Sequence, residues 1–197
     1  GQKCARTGWI SRKCATSPPP YGRRTPALEE MDKVEEVDLI ISGGIRTGAD
    51  VAKALALGAD AVSIGQAALI ALGCNNRCYH DDTAGQDGRD GTDGWVDVTE
   101  DYQQLGAAPG FCHHCHTGKC PVGIATQNPE LTKRLDPDEA AERVANFLNS
   151  MTMEMALLTR SLGKSDVHSL EPEDLAALTI EASAMARVPL VGTNKVY

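Results

Sequence analysis

Val37-Asp38-Leu39-Ile40-Ile41-Ser42, an aliphatic run stopped by Gly43-Gly44, constrains the fold most, because its continuous apolar centre suits a β-strand buried on both faces. Thr47 then reads as a helix N-cap with Asp50 three residues on, and Val51, Ala54, Leu55 and Leu57 make an apolar helical stripe that stops at Gly58. Ala59 to Ile64 reads as a second strand, ending at Gly65-Gln66. Strand, helix and strand within about thirty residues make a parallel βαβ unit and set the fold class as α/β. Both strands finish in glycine. At the carboxyl ends of parallel strands, glycines let backbone N–H groups approach a ligand such as a phosphate. The same residues also suit a pair of tight βα turns that use glycine only for positive φ.

The rest of the chain falls into unequal pieces. Residues 1–26 are basic around Ser17-Pro18-Pro19-Pro20 and are expected to be an irregular, disordered lead-in. Residues 27–73 hold a short helical stretch near Ala27 to Glu36 and then the βαβ unit, and residues 74–135 hold an acidic insert and a cysteine-rich segment. Within 81–101 eight acids face one base, Arg89, and glycines recur at 85, 88, 91 and 94. This predicts a mobile solvated loop, and its acids lack the spacing of a calcium-binding EF-hand. Residues 136–197 read as helical. Asp136-Pro137-Asp138-Glu139 starts a long helix whose stripe of Val144, Leu148, Met151, Met155, Leu158 and Leu162 runs to Gly163 and belongs in a core. A second helix is expected from near Pro172 towards Val188, stopped by Pro189.

Cys112, Cys115 and Cys120, closed by Pro121, are three sulfur ligands within nine residues, a set suited to an iron-sulfur cluster. Zinc is an alternative with Cys74, Cys78 or a neighbouring histidine as fourth ligand. Cys112-His113-His114-Cys115-His116 also matches the C-x-x-C-H haem attachment pattern, and unligated packing thiols are the plainest reading. Seven cysteines, an odd number, without an apolar opening segment fit a reduced cytoplasmic protein that binds metal rather than a disulfide framework. The net charge of −8 disfavours nucleic acid, and no eighteen-residue apolar run offers a membrane span.

Ile41-Ser42-Gly43-Gly44-Ile45-Arg46-Thr47-Gly48-Ala49-Asp50 with Ile64-Gly65-Gln66 resembles the FMN phosphate-binding half of flavin-dependent (β/α)₈ TIM barrels. Joined to Cys115-His116-Thr117-Gly118-Lys119-Cys120-Pro121-Val122-Gly123-Ile124-Ala125-Thr126-Gln127, it resembles the C-terminal part of the glutamate synthase synthase domain, in particular archaeal-type and stand-alone subunits. The likeness covers roughly residues 30 to 195 and implies about the last two strands of the barrel, a cysteine-rich cluster loop and a helical tail. It implies an oxidoreductase acting on CH-NH2 donors that forms L-glutamate from 2-oxoglutarate, with FMN and a 3Fe-4S or 4Fe-4S cluster. Gly43, Gly44, Gly65 and Gln66 would take the flavin phosphate, Arg46 would add charge there or pair with Asp50, and Cys112, Cys115 and Cys120 would ligate the cluster. The implied partners are a glutamine amidotransferase and an electron-donor subunit or domain, ferredoxin- or NAD(P)H-linked. The family spaces its first two cluster cysteines by five residues, which would place the first at Pro109 rather than Cys112, so cluster type and a fourth ligand at Cys74 or Cys78 stay open. An N-methylglutamate synthase-type subunit and a non-catalytic electron-transfer piece are the other readings. A barrel needs eight strand-helix units, so the chain is expected to be a fragment or truncated product, marginal alone, with no catalytic or substrate-binding residue identified.

Overall fold

A computed structural model describes residues 28, 30–33, 36–81 and 94–197. The expected lead-in 1–26 and residues 82–93 of the acidic stretch lie outside these, as does part of the expected helix near 27–36. The elements are β1 (Ile40–Ser42), α1 (Gly48–Ala56), β2 (Ala61–Ser63), α2 (Gln66–Leu72), β3 (Cys78–His80), β4 (Trp95–Asp97), α3 (Thr99–Gln104), α4 (Pro129–Thr132), α5 (Pro137–Ser161) and α6 (Ile180–Ala186). The fold is mixed α/β, with one parallel and one antiparallel strand pair and one long helix. Two compact units divide it. One contains Ala49–Ser63, Met155–Tyr197 and the described residues before Ser42, and the other contains Ser42–Gly48 and Ile64–Glu154.

In the first unit β1 and β2 lie side by side, tied at their starts by the Asp60 N–H donating to the Leu39 carbonyl and the Leu39 N–H donating to the Asp60 carboxylate, each at 2.8 Å. The strand expected to be covered on both faces is shorter and more open, with Ile40 57% exposed, because a two-stranded sheet supplies few neighbours. On α1, Ala52 and Ala56 pack with Leu170, Leu158, Val167 and Leu175. The expected single helix from Pro172 is broken. Pro172–Asp174 is a 3₁₀ turn closed by a capping box with Glu171, Ala177 bridges Leu190, and α6 begins afresh where the Thr179 hydroxyl accepts from the Ala182 N–H at 3.1 Å. Local side-chain caps here outcompete the continuous helix that the apolar spacing suggests.

The start of α5 is as expected, since the Asp136 carboxylate accepts from the N–H groups of Asp138 (2.9 Å) and Glu139 (3.1 Å). Its stripe is partly covered: Met151 is buried, Val144, Met155 and Leu158 are half-buried, and Leu148 and Leu162 are exposed.

In the second unit β3 and β4 pair antiparallel with Cys78 opposite Asp97, Tyr79 opposite Val96 and His80 opposite Trp95. The acidic stretch is therefore not all solvated loop. Its end carries β4 and α3, and Val98 and Tyr102, each 1% exposed, join Val122 in a core. Arg77 donates to Asp97 at 2.7 Å, and the other Asp97 oxygen accepts from the Thr99 N–H at 2.7 Å to start α3.

Two stability predictions follow from particular contacts. In the first unit the Lys164 ammonium donates to Asp174 (2.6 Å), Glu171 (3.3 Å) and the Ser169 carbonyl (2.6 Å). Burial works against the ammonium's charge, but the hydrogen bonds it donates to Asp174 and Glu171 outweigh this and raise its pKa. Lys164→Met should lower unfolding stability by about 1–2 kcal/mol near neutral pH, read from denaturant melts. A raised folded pKa means that this contribution is complete below the ordinary value of 10.5 and fades as pH climbs through the higher folded value, so the melts should converge in strong alkali. In the second unit Gly123 has φ +79°, and a Cβ there would strike the Leu131 carbonyl oxygen. Gly123→Ala should cost about 2 kcal/mol or more, whereas Gly192→Ala, at φ +75° with open space around it, should cost only the conformational share of about 1. Equal costs would show that the close approach is not real.

Candidate functional site

Helix α2 ends at Leu72, and Gly73 at φ +120° and Asn75 at φ +65° turn the chain sharply back. The Asn75 carboxamide then lies along the backbone of Cys112, accepting from its N–H at 2.9 Å and donating to its carbonyl at 3.4 Å. This link brings Cys74 to the cysteine-rich segment. Burial, followed by the nearby Cys115, Cys120 and Cys112, raises the Cys74 thiol above its ordinary pKa, with the Asn75 N–H working in the opposite direction. The geometry agrees in part: the Asn75–Cys112 contact holds the turn bearing Cys74 beside Cys112, and Cys112 and Cys120 pack on the same apolar cluster. Tyr102 is shaped by the same surroundings: burial first, then Cys112, Cys120 and Cys74, push its phenol pKa up, and its hydroxyl donates to the Asn76 carbonyl at 2.9 Å.

The segment bearing the other three thiols is held by its own polar contacts. Cys115–Thr117 is a 3₁₀ turn closed by the Thr117 hydroxyl donating to the His114 carbonyl at 2.8 Å, and Gly118 follows in the left-handed region. The buried Thr126 hydroxyl donates back to the Gly118 carbonyl at 2.5 Å. Arg134 donates to the Pro121 carbonyl at 2.8 Å and to Asp101 at 2.6 Å. Three imidazoles flank the thiols, with His113 stacked on His114 at 4.7 Å and His114 tilted to His116 at 6.0 Å.

Cys78 stands apart. Cys78 and His80 line a shallow cavity together with Tyr79, Trp95, Val122 and Arg134. Cys78 is not among the thiols that shift Cys74. Of the two fourth-ligand candidates, the fold brings Cys74 to the nest. Among the described residues no three His, Cys, Asp or Glu side chains stand in closed metal-coordinating geometry, so the thiols are gathered but not drawn into a ligand shell. The chemistry of four soft sulfurs fits iron-sulfur or zinc.

The glycine-bearing loops follow parallel neighbours β1 and β2 and so emerge on the same edge. Gly43 and Gly44 adopt φ +100° and +72°, and a Cβ added at either, or at Gly65, would meet nothing within 4 Å. Room for a ligand therefore lies in front of this backbone. Arg46, Gly65 and Gln66 are exposed beside it. The Gly48 N–H at the start of α1 donates to the Glu154 carboxylate at 2.6 Å, so that end of the helix already holds an anion.

Sequence reasoning missed Asn75 and Tyr102. A Gly-Cys-Asn-Asn run directly after an apolar helix is a turn signal that pointed to the reversal at Cys74, whereas nothing local marked Tyr102 as the neighbour of distant thiols.

Residues 23–85 and 107–165 match the family described as the conserved region in glutamate synthase. The chain is 51% identical over 168 residues to a glutamate synthase large subunit-like protein of Rhizobium meliloti, covering 85% of this chain and 34% of that one. It is 41% identical over 143 residues to the archaeal glutamate synthase [NADPH] of Methanocaldococcus jannaschii, covering 73% and 21%. A ferredoxin-dependent glutamate synthase of Cyanidium caldarium is 31% identical over 136 residues, 69% of this chain and 6% of that one. The chain thus spans about a third or less of these relatives. No solved structure matches it. Among the described residues no helix is long and apolar enough to cross a membrane. With most of its length inside the matched region, the chain belongs to the family of the glutamate synthase conserved region.

Proposed function

We propose that this chain is the flavin-phosphate and iron-sulfur part of a glutamate synthase, which forms L-glutamate by reducing the imine of 2-oxoglutarate and ammonia. The Asn75–Cys112 contact carries this reading, because it holds the turn bearing Cys74 against the segment of Cys112, Cys115 and Cys120 from 37 residues away. A bound cluster would supply one-electron chemistry, and FMN would supply hydride transfer. The chain's own residues orient these groups. Cys112, Cys115 and Cys120 with Cys74 would hold the cluster, and the open amides around Gly43, Gly44, Gly65 and Gln66, with Arg46, would hold the flavin phosphate. In this reading β1, α1 and β2 are the closing part of a (β/α)₈ barrel, which the exposure of Ile40 supports. An electron-donor subunit or domain and a glutamine amidotransferase would be the partners.

Anaerobic reconstitution with iron and sulfide tests this directly. The expected product has broad visible absorption and both iron and acid-labile sulfide. Cys74→Ser and Cys112→Ser should lose most of the iron, while Cys78→Ser keeps it. Colourless protein that binds zinc without sulfide, or covalent haem with a Soret band, would reject the cluster. The flavin half is tested separately by quenching of FMN fluorescence. Binding to the isolated chain should be weak, and Gly44→Val, which forces a branched side chain into the left-handed region, should weaken it by about tenfold with iron uptake unchanged. Unaltered FMN affinity in that variant would remove the phosphate assignment.

A further inference from the structure

Residues 86–106 fall between the two segments that match the family, yet their described part, from Gly94 on, contributes to the second unit's core. Val98 and Tyr102 come from this stretch, and Cys112 and Cys120 pack against the cluster that they form with Val122. Besides the β3–β4 pairing, two of its side chains reach the cysteine-bearing turns. The Tyr102 hydroxyl donates to the carbonyl of Asn76, two residues beyond Cys74. The Asp101 carboxylate accepts from the same Arg134 nitrogen that donates to the carbonyl of Pro121, directly after Cys120. Protection is one-sided, since Cys112, Cys120 and Cys74 are partly buried while Cys115 is exposed.

We propose that β4 and α3 form an added wall against the sulfur nest, in which Tyr102 is a positioning residue that keeps water from Cys112 and Cys120 and steadies the turn bearing Cys74. An apolar wall limits solvent access to a metal site and lowers the dielectric around it, two means by which a protein retains a cluster and sets its potential. What the wall protects rests on the iron-sulfur reading; that it covers the thiols does not.

Alkylation of the metal-free full chain by iodoacetamide, followed cysteine by cysteine through peptide mass, reads the wall without any cluster. Cys112 and Cys120 should react about tenfold more slowly than exposed Cys115. Tyr102→Ala should raise their rates several-fold and leave that of Cys115 unchanged, whereas Tyr102→Phe, which keeps the ring, should retain their protection. Unchanged rates at Cys112 and Cys120 in Tyr102→Ala would overturn the proposal. Should Tyr102→Ala fail to fold, seen as collapse of its circular dichroism, Val98→Ala makes a smaller lesion in the same cluster and is judged by the same rates. After reconstitution, Tyr102→Ala should also lose iron to excess EDTA several-fold faster than wild type. If the thiols respond as expected but no variant takes up iron and sulfide, the wall stands and the cluster reading fails. If iron is taken up but the thiol rates do not move, the wall fails alone.

Discussion

The contact on which the second unit depends is the pair of hydrogen bonds between the Asn75 carboxamide and the Cys112 backbone, 37 residues apart in sequence. Closing a flexible loop of that length costs about 3 kcal/mol by chain entropy. Two hydrogen bonds at about 1 kcal/mol each do not offset it. The remaining cost of about 1 kcal/mol is less than the burial of one large side chain contributes, about 1.5–3 kcal/mol, and Val98 and Tyr102 lie inside that very loop, each 1% exposed. The polar link therefore fixes register between Cys74 and the cysteine-rich segment, while the apolar cluster supplies the stability that lets the link form.

Gathering thiols has an electrostatic consequence. Burial first, then Cys115, Cys120 and Cys112, raise the Cys74 thiol above its ordinary pKa, so a bare thiolate is disfavoured there. A bound cation reverses both influences, because a coordinating thiol gives up its proton outright. Under the proposed function, loading is coupled to proton release, and the partly buried position that penalises a bare thiolate becomes the position that retains a neutralised cluster. Cys78, on the shallow cavity beside β3, is not among the groups that shift Cys74.

Local sequence signals revealed the elements of the first unit better than the assembly of the second. Glycine after an aliphatic run, Thr47 before α1 and Asp136 before α5 act within a few residues, so their meaning survives in the sequence. The same locality misled at Pro172, where an apolar helical spacing was overruled by the Glu171–Asp174 capping box and the Thr179 cap. The acidic stretch hid its role for a different reason. Three-residue strands such as β4 carry too little alternation to stand out, and eight acids nearby make the average hydropathy that of a loop. The three clustered cysteines were legible because they share a segment. The approach of the Cys74 turn to Cys112 was not, since it depends on the reversal at Gly73–Asn75 and a contact 37 residues away.

The first turn of α1 also narrows where a phosphate can sit under the proposed function. An isolated helix N-terminus attracts an anion through its unpaired N–H groups. Here the Gly48 N–H is already satisfied by Glu154, and a second anion drawn to the same spot would meet a carboxylate of like charge. At Gly43 and Gly44 the backbone holds positive φ, and the space a side chain would take there is open. A flavin phosphate would accordingly be favoured on the glycine loops rather than on the helix axis, which makes the conformation of Gly43 and Gly44 matter more to binding than the dipole of α1.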